Sequence, residues 1–176
     1  MFTVSLSFRK VAAKHKLIGL TKAGDSMDLQ FKWARFESLT ALELYEIIRL
    51  RESVFVVEQA CPYQEVDGMD ISSWHLSVFM DGELAAYARV VEPGVKYQQP
   101  SIGRVMTVKQ FRSLKIGRAL MAEAVRFTEA QFPRDSIKIG AQVYLKEFYG
   151  SFGFEAVSDP YDEDGILHID MIRSSL

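Results

Sequence analysis

The first stretch with a clear hydrophobic rhythm is LQFKWARF, in which Leu29, Phe31 and Trp33 alternate with Gln30 and Lys32. A period of two marks a strand with one buried face. TALE, Thr40 to Glu43, supplies the Thr and Glu of a capping box, and Leu44, Ile47, Ile48 and Phe55 then recur at helical spacing. The rhythm stops at EQACPYQEVDGMDISS, Glu58 to Ser73. Irregular stretches of that length are uncommon in compact domains and tend to carry function. HLSVFMDGELAAYARVV predicts a hairpin turning at Asp81-Gly82. A loop through EPGVKYQQP leads to the strand IGRVMTV, followed by a helix from about Gly117 to Gln131 that stops ahead of Pro133. IKIGA is a short buried strand. VYLKEFYGSF places Leu145, Phe148, Tyr149 and Phe152 on one helical face, with Gly153 set to end the helix. ILHIDMI closes the pattern as a strand, Leu167, Ile169 and Met171 on one face and His168 and Asp170 on the other. Strands and helices interleave, which predicts a single α/β (mixed α+β) domain with a mixed sheet flanked by helices.

Composition narrows the picture. The 176 residues, 48% hydrophobic and 25% charged, suit one domain with a sizeable core. A net charge of −2 gives no general pull toward nucleic acid, which is not expected as a partner. The single cysteine, Cys61, cannot close an internal disulfide, and no paired spacing suggests a metal site. No apolar run is long enough to span a membrane, so the expected compartment is the cytoplasm. Residues 1–26 stand apart. Through Gly24 they carry Arg9, Lys10, Lys14, Lys16 and Lys22 and no acidic residue. Their apolar cluster LIGL is too short for a secretory signal, and an acid-poor basic start also fits a transit peptide. They are taken as a basic N-terminal extension, floppy or lying against the fold, with the domain proper at 27–176.

The candidate chemistry lies where IGRVMTV runs into FRSLKIGRALM. Arg112, Lys115 and Arg118 cluster around Gly117 at the start of a helix. Unpaired amides at a helix start, together with the positive end of its dipole, suit a bound phosphate. Charge alone fits solvated basic residues on an ordinary turn equally well. The spacing says more. Read with the preceding strand, the segment resembles the acetyl-CoA-binding motif of the GNAT acetyltransferases, Arg/Gln-x-x-Gly-x-Gly/Ala. Arg112 stands at its first position, Gly117 at its last and Lys115 at its middle glycine. Downstream, EFYGSFGF is similar to that family's Phe-Tyr-x-x-x-Gly-Phe stretch. With VFVVEQACPYQEVDGMD, AYARV, IGRV, IGAQ and DGILHIDM, the resemblance narrows to the ElaA-type subgroup and spans Met27 to Arg173.

The resemblance implies an acyl-CoA N-acyltransferase fold, with a twisted, largely antiparallel sheet splayed in its middle and helices on both faces. It implies acetyl transfer from acetyl-CoA to an amine by direct attack in a ternary complex. Val105, Met106 and Thr107 would pair their backbone with the pantetheine arm. Arg112, Ser113, Leu114, Lys115, Ile116, Gly117 and Arg118 would hold the diphosphate. Tyr149 would give a proton to the departing thiolate, although on its own position it reads as a core tyrosine with a satisfied hydroxyl. Glu58 is the first candidate for the base because a helix terminus is better held than a loop tip. Glu65, Asp67 and Asp70 could accept the amine proton through water, meet a cationic acceptor, or be solvated and turn-forming carboxylates. His75 and His168 are of a type suited to act as the base but are expected in structural hydrogen bonds, and Cys61, conceivable as an acyl-carrying nucleophile, is expected as small apolar filling. The acceptor amine is open among a small molecule, a peptide N-terminus and a lysine, as is a homo-oligomer. The alternative is a CoA-binding module with a sensing or scaffolding role and no turnover.

Overall fold

The structure is a computed structural model that describes residues 15–22 and 25–175. Its strands are β1 His15–Lys22, β2 Asp25–Arg35, β3 Trp74–Met80, β4 Glu83–Val91, β5 Ser101–Thr107, β6 Ile137–Gln142, β7 Glu155–Ala156, β8 Tyr161–Glu163 and β9 Ile166–Arg173. The helices are α1 Ala41–Arg51, α2 Ile116–Gln131 and α3 Lys146–Gly150. All the strands join one sheet in the order β1-β2-β3-β4-β5-β6-β9-β7, with β8 on β9. β1 pairs along its length with β2, so the sheet starts upstream of Met27, the boundary expected from sequence. Among the described residues no helix is long and apolar enough to cross a membrane.

Local chemistry sets the elements. The Thr40 hydroxyl accepts from the Glu43 amide while the Glu43 carboxylate accepts from the Thr40 amide, so the capping box starts α1 where TALE predicts. Asp81 and Gly82 take φ of 51° and 82°, the two left-handed residues of a type I′ hairpin turn between β3 and β4. VYLKEFYGSF is less regular than its pattern suggests: a 3-10 turn at Val143–Leu145 precedes the short α3. Its end is a Schellman motif. Gly153 sits at φ 80°, its amide donates to the Gly150 carbonyl, and the Phe154 amide reaches back to Tyr149.

Helices cover both faces of the sheet. Leu120, Met121 and Ala124 of α2 pack on Leu76, Val78, Ala86 and Ala88. On the other face Ile47 and Leu50 of α1, with Val54 beyond it, meet Tyr87 and Met106. β4 is buried almost throughout because neither face is free. β5 carries the decisive irregularity. Met106 pairs Tyr87 and Gly103 pairs Arg89, so Arg104 and Val105 stand opposite one residue of β4. Arg104 takes φ 52° to make this bulge. Ile102 consequently packs on the α2 side and Met106 on the α1 side, although four residues apart in a regular strand would share a face.

Candidate functional site

β5 and β6 run parallel and pair only at Ser101 and Lys138, so the sheet opens beyond that point. From Gly103 to Thr107 the β6-facing edge of β5 has no strand partner among the described residues. A cavity of about 610 Å³ occupies the opening. Val105, Thr107, Gly117, Phe148 and Tyr149 line it, together with Val54, Glu58, Tyr63, Arg104, Gln142 and His168. A separate concavity of about 680 Å³ between α1 and β2–β4 lies away from the start of α2 and is crossed by the Lys32–Glu43 ion pair.

At the α2 start the left-handed residue is not Gly117 but Lys115, at φ 59° and ψ 17°, the position of the motif's middle glycine. Gly117 serves close approach instead: a Cβ there would sit 3.1 Å from the Thr107 hydroxyl, so its lack of a side chain brings α2 against β5. No side chain caps α2. The Arg118 amide donates to the Lys115 carbonyl at 3.1 Å, and the amides ahead of it are left to a ligand, beside an unpaired strand edge with the same opening. These features fit a diphosphate on residues 115–118 and an extended amide-bearing arm along β5. Ile116 and Met106 are buried and offer only their backbone, whereas Ser113, Lys115 and Arg118 are exposed. Arg118 lies over the Phe152 ring, 5.3 Å from its centroid. Leu114 packs on the core.

Arg112 and Glu58 meet across the cavity mouth. The guanidinium donates both terminal nitrogens to the carboxylate, one at 2.9 Å, and its Nε to the Thr107 carbonyl at 3.0 Å. The bonds from Arg112 hold the Glu58 carboxyl below the usual carboxylate range, which weakens it as a proton acceptor. Tyr149 is 8% exposed, and burial pushes its phenol up to about 12. The Schellman turn fixes it: its carbonyl takes the Phe154 amide and its ring packs edge-on against Phe154 and Phe148.

The irregular stretch is ordered by charge. α1 continues as a π-helical turn, Glu52–Glu58, and a 3-10 turn follows at Met69–Ser72. Glu65, Asp67 and Asp70 do not wait for a cationic acceptor. Arg51 holds Glu65 at 2.8 Å and Asp70 at 2.6 Å, Arg89 holds Asp67 at 2.6 Å and Asp70 at 3.0 Å, and Arg104 holds Glu65 at 2.7 Å. Burial raises the Asp67 carboxyl, but the Arg89 bonds outweigh it and bring it down to about 2. Asp67 also makes the predicted turn, accepting from the Met69 amide. His75 is fully buried, between the Tyr87 hydroxyl at 2.7 Å and the Asp70 carbonyl at 3.0 Å, and burial lowers its basicity. Cys61 is buried, its thiol against the Asp164 carbonyl. The three arginines were not singled out from sequence. Their signal was there: each interrupts an apolar run, Arg51 in step with Ile47, Leu50 and Val54, Arg89 within AAYARVV and Arg104 within IGRVMTV.

Compared with known proteins, residues 45–175 match the family described as acetyltransferase (GNAT) domain. A UPF0039 protein of Synechocystis sp. is 43% identical over 147 residues, 83% of this chain and 96% of that protein. Protein ElaA of Escherichia coli is 40% identical over 137 residues, 77% of this chain and 90% of its own. The crystal structure of E. coli ElaA superposes with a TM-score of 0.78 at 36% identity, covering 83% of this chain and 99% of that one. An acyl-CoA N-acyltransferase from Pseudomonas aeruginosa gives 0.79 at 40% identity, with the same coverage.

Proposed function

The chain belongs to the GNAT acetyltransferase domain family, and from that membership we propose that it moves the acetyl group of acetyl-CoA to an amine by direct attack in a ternary complex. The observation that carries this is the meeting of an uncapped helix start, an unpaired strand edge and a buried tyrosine in one cavity. Residues 27–176 supply the catalytic domain in this proposal. The amides of Lys115 to Gly117, with the Arg118 side chain, grip the diphosphate, and the free edge of Val105 to Thr107 aligns the pantetheine arm. A β5 amide donates to the thioester oxygen as that oxygen gains charge. Tyr149 stays a neutral phenol over any working pH and so remains a donor beside the sulfur. Arg112 exchanges Glu58 for phosphate when the donor arrives.

The test is thiol release from acetyl-CoA with spermidine, Nα-acetyl-lysine amide and a tripeptide as acceptors, with products identified by mass. Transfer predicts an acetyl gain of mass on an acceptor. It also predicts a fall of about tenfold or more in Tyr149→Phe at unchanged CoA affinity. CoA binding without release on any acceptor would leave a binding module.

A further inference from the structure

The transfer proposed above requires the acceptor ammonium, ordinarily with a pKa near ~10, to lose a proton before it attacks. Glu58 is held by Arg112 until the donor arrives, and a carboxylate, ordinarily near ~4.3, is in any case a weaker proton acceptor than an imidazole, ordinarily near ~6.5. The lining of the same cavity carries another basic group. His168 sits on β9 opposite Gln142 of β6, and its side chain is 15% exposed where it lines the cavity. Its Nδ1 lies 2.8 Å from the carbonyl oxygen of Ile166. A carbonyl only accepts, so Nδ1 bears the hydrogen and the neutral ring keeps its lone pair on Nε2.

Among the described residues Nε2 has no hydrogen-bond partner, and it is not one of the buried atoms left unsatisfied. It is therefore open to the cavity. The Tyr161 ring stacks on the imidazole with centroids 6.3 Å apart, which holds its plane. Glu163 places Oε2 3.9 Å from Nδ1, where it offsets the positive charge of a doubly protonated ring. His75 shows the contrast: both of its nitrogens are taken and it touches no cavity wall.

We propose that His168 is the general base of this reaction, its Nε2 taking a proton from the acceptor ammonium directly or through one water. The freed nitrogen lone pair then forms the bond to the acyl carbon as the carbon–sulfur bond breaks. The sulfur keeps that electron pair and receives the nitrogen's second leaving proton by way of the Tyr149 hydroxyl. The imidazolium returns its proton to solvent, so one proton is released per turnover. The arrangement repeats the logic of a base oriented by a third group: the Ile166 carbonyl fixes the tautomer and Glu163 steadies the charge.

The experiment uses the full chain, the three acceptors named above, and His168→Gln and His168→Ala. His168→Gln is expected to lose about 100-fold in kcat while acetyl-CoA affinity by calorimetry stays within about twofold. Added imidazole is expected to restore part of the rate to His168→Ala, which a merely structural histidine would not allow. Nitrogen NMR of the wild type should show the Nδ1–H tautomer at His168. The assignment is overturned by a His168→Gln rate within about threefold of wild type, by equal losses of rate and CoA affinity, by no imidazole rescue, or by the opposite tautomer. A wild type that binds CoA but turns over no acceptor overturns the transfer proposal, and the base with it. A variant that turns over normally overturns the base alone.

Discussion

Lys115 holds a left-handed conformation that an L-residue adopts at a cost of about 1–2 kcal/mol. Glycine would remove that strain while losing more chain entropy on folding. Lys115→Gly is therefore expected to leave stability level or raise it by up to about 1 kcal/mol in urea unfolding. A clear loss would show that the ammonium, not the backbone, matters there. Glu58 and Arg112 make the second residue-scale prediction. Both side chains are more than a third exposed, so their pairing is worth less than about 1 kcal/mol. If the carboxylate competes with phosphate for Arg112, Glu58→Gln tightens acetyl-CoA binding roughly two- to fivefold, and Arg112→Gln weakens it about tenfold. Unchanged affinity in Glu58→Gln would contradict the competition. From sequence, Arg112 was legible by its spacing to Gly117, but its partner 54 residues away was not.

The element that most needs explaining is the stretch from Glu58 to Ser73. It has no periodicity because it has little apolar face of its own; three arginines from α1, β4 and β5 hold three carboxylates within it. Such order is non-local, and one sequence does not show which charges will meet. α2 was legible for the opposite reason, since its apolar stripe faces the core along its length. The bulge at Arg104 escaped notice because a strand's register lies in its partner and not in its own pattern. Arg51 is fully buried, so Arg51→Met would leave three carboxylates to two arginines, Glu65 to Arg104 and Asp70 to Arg89, and cost about 3–5 kcal/mol, read as a shifted urea midpoint. The network also fixes a pH dependence. Asp67 and Asp70 titrate lower folded than unfolded, so the stability they give is present above about pH 4 and is lost as pH falls toward about 2. His75 acts in the same sense. Its basicity is lowered in the fold, so its part is full above about pH 6.5 and declines below. The urea midpoint should therefore fall in two stages from pH 7 to about pH 2; a midpoint flat over that range would contradict the network.

Over the whole molecule, the sheet opens between β5 and β6 because each strand is committed elsewhere, β5 to β4 and β6 to β9. The opening joins the two faces: Tyr149 belongs to the core under α2 and Met106 to the core under α1, and both reach one cavity. In the proposed reaction a donor laid along α2 and β5 meets its acceptor in this cavity, which Glu58, Tyr63 and His168 also line. Interleaved strands and helices in the sequence led to a mixed sheet flanked by helices; the splay in its middle came from the family resemblance, and strand pairing shows that it begins beyond Ser101 and Lys138. The measurement that bears most directly on the whole is calorimetric titration of acetyl-CoA into wild type and Gly117→Val. One-to-one binding is expected in the wild type. It should weaken at least about tenfold in the variant, whose side chain would press on Thr107 and lift α2 from β5. No heat from the folded wild type at millimolar acetyl-CoA would contradict it.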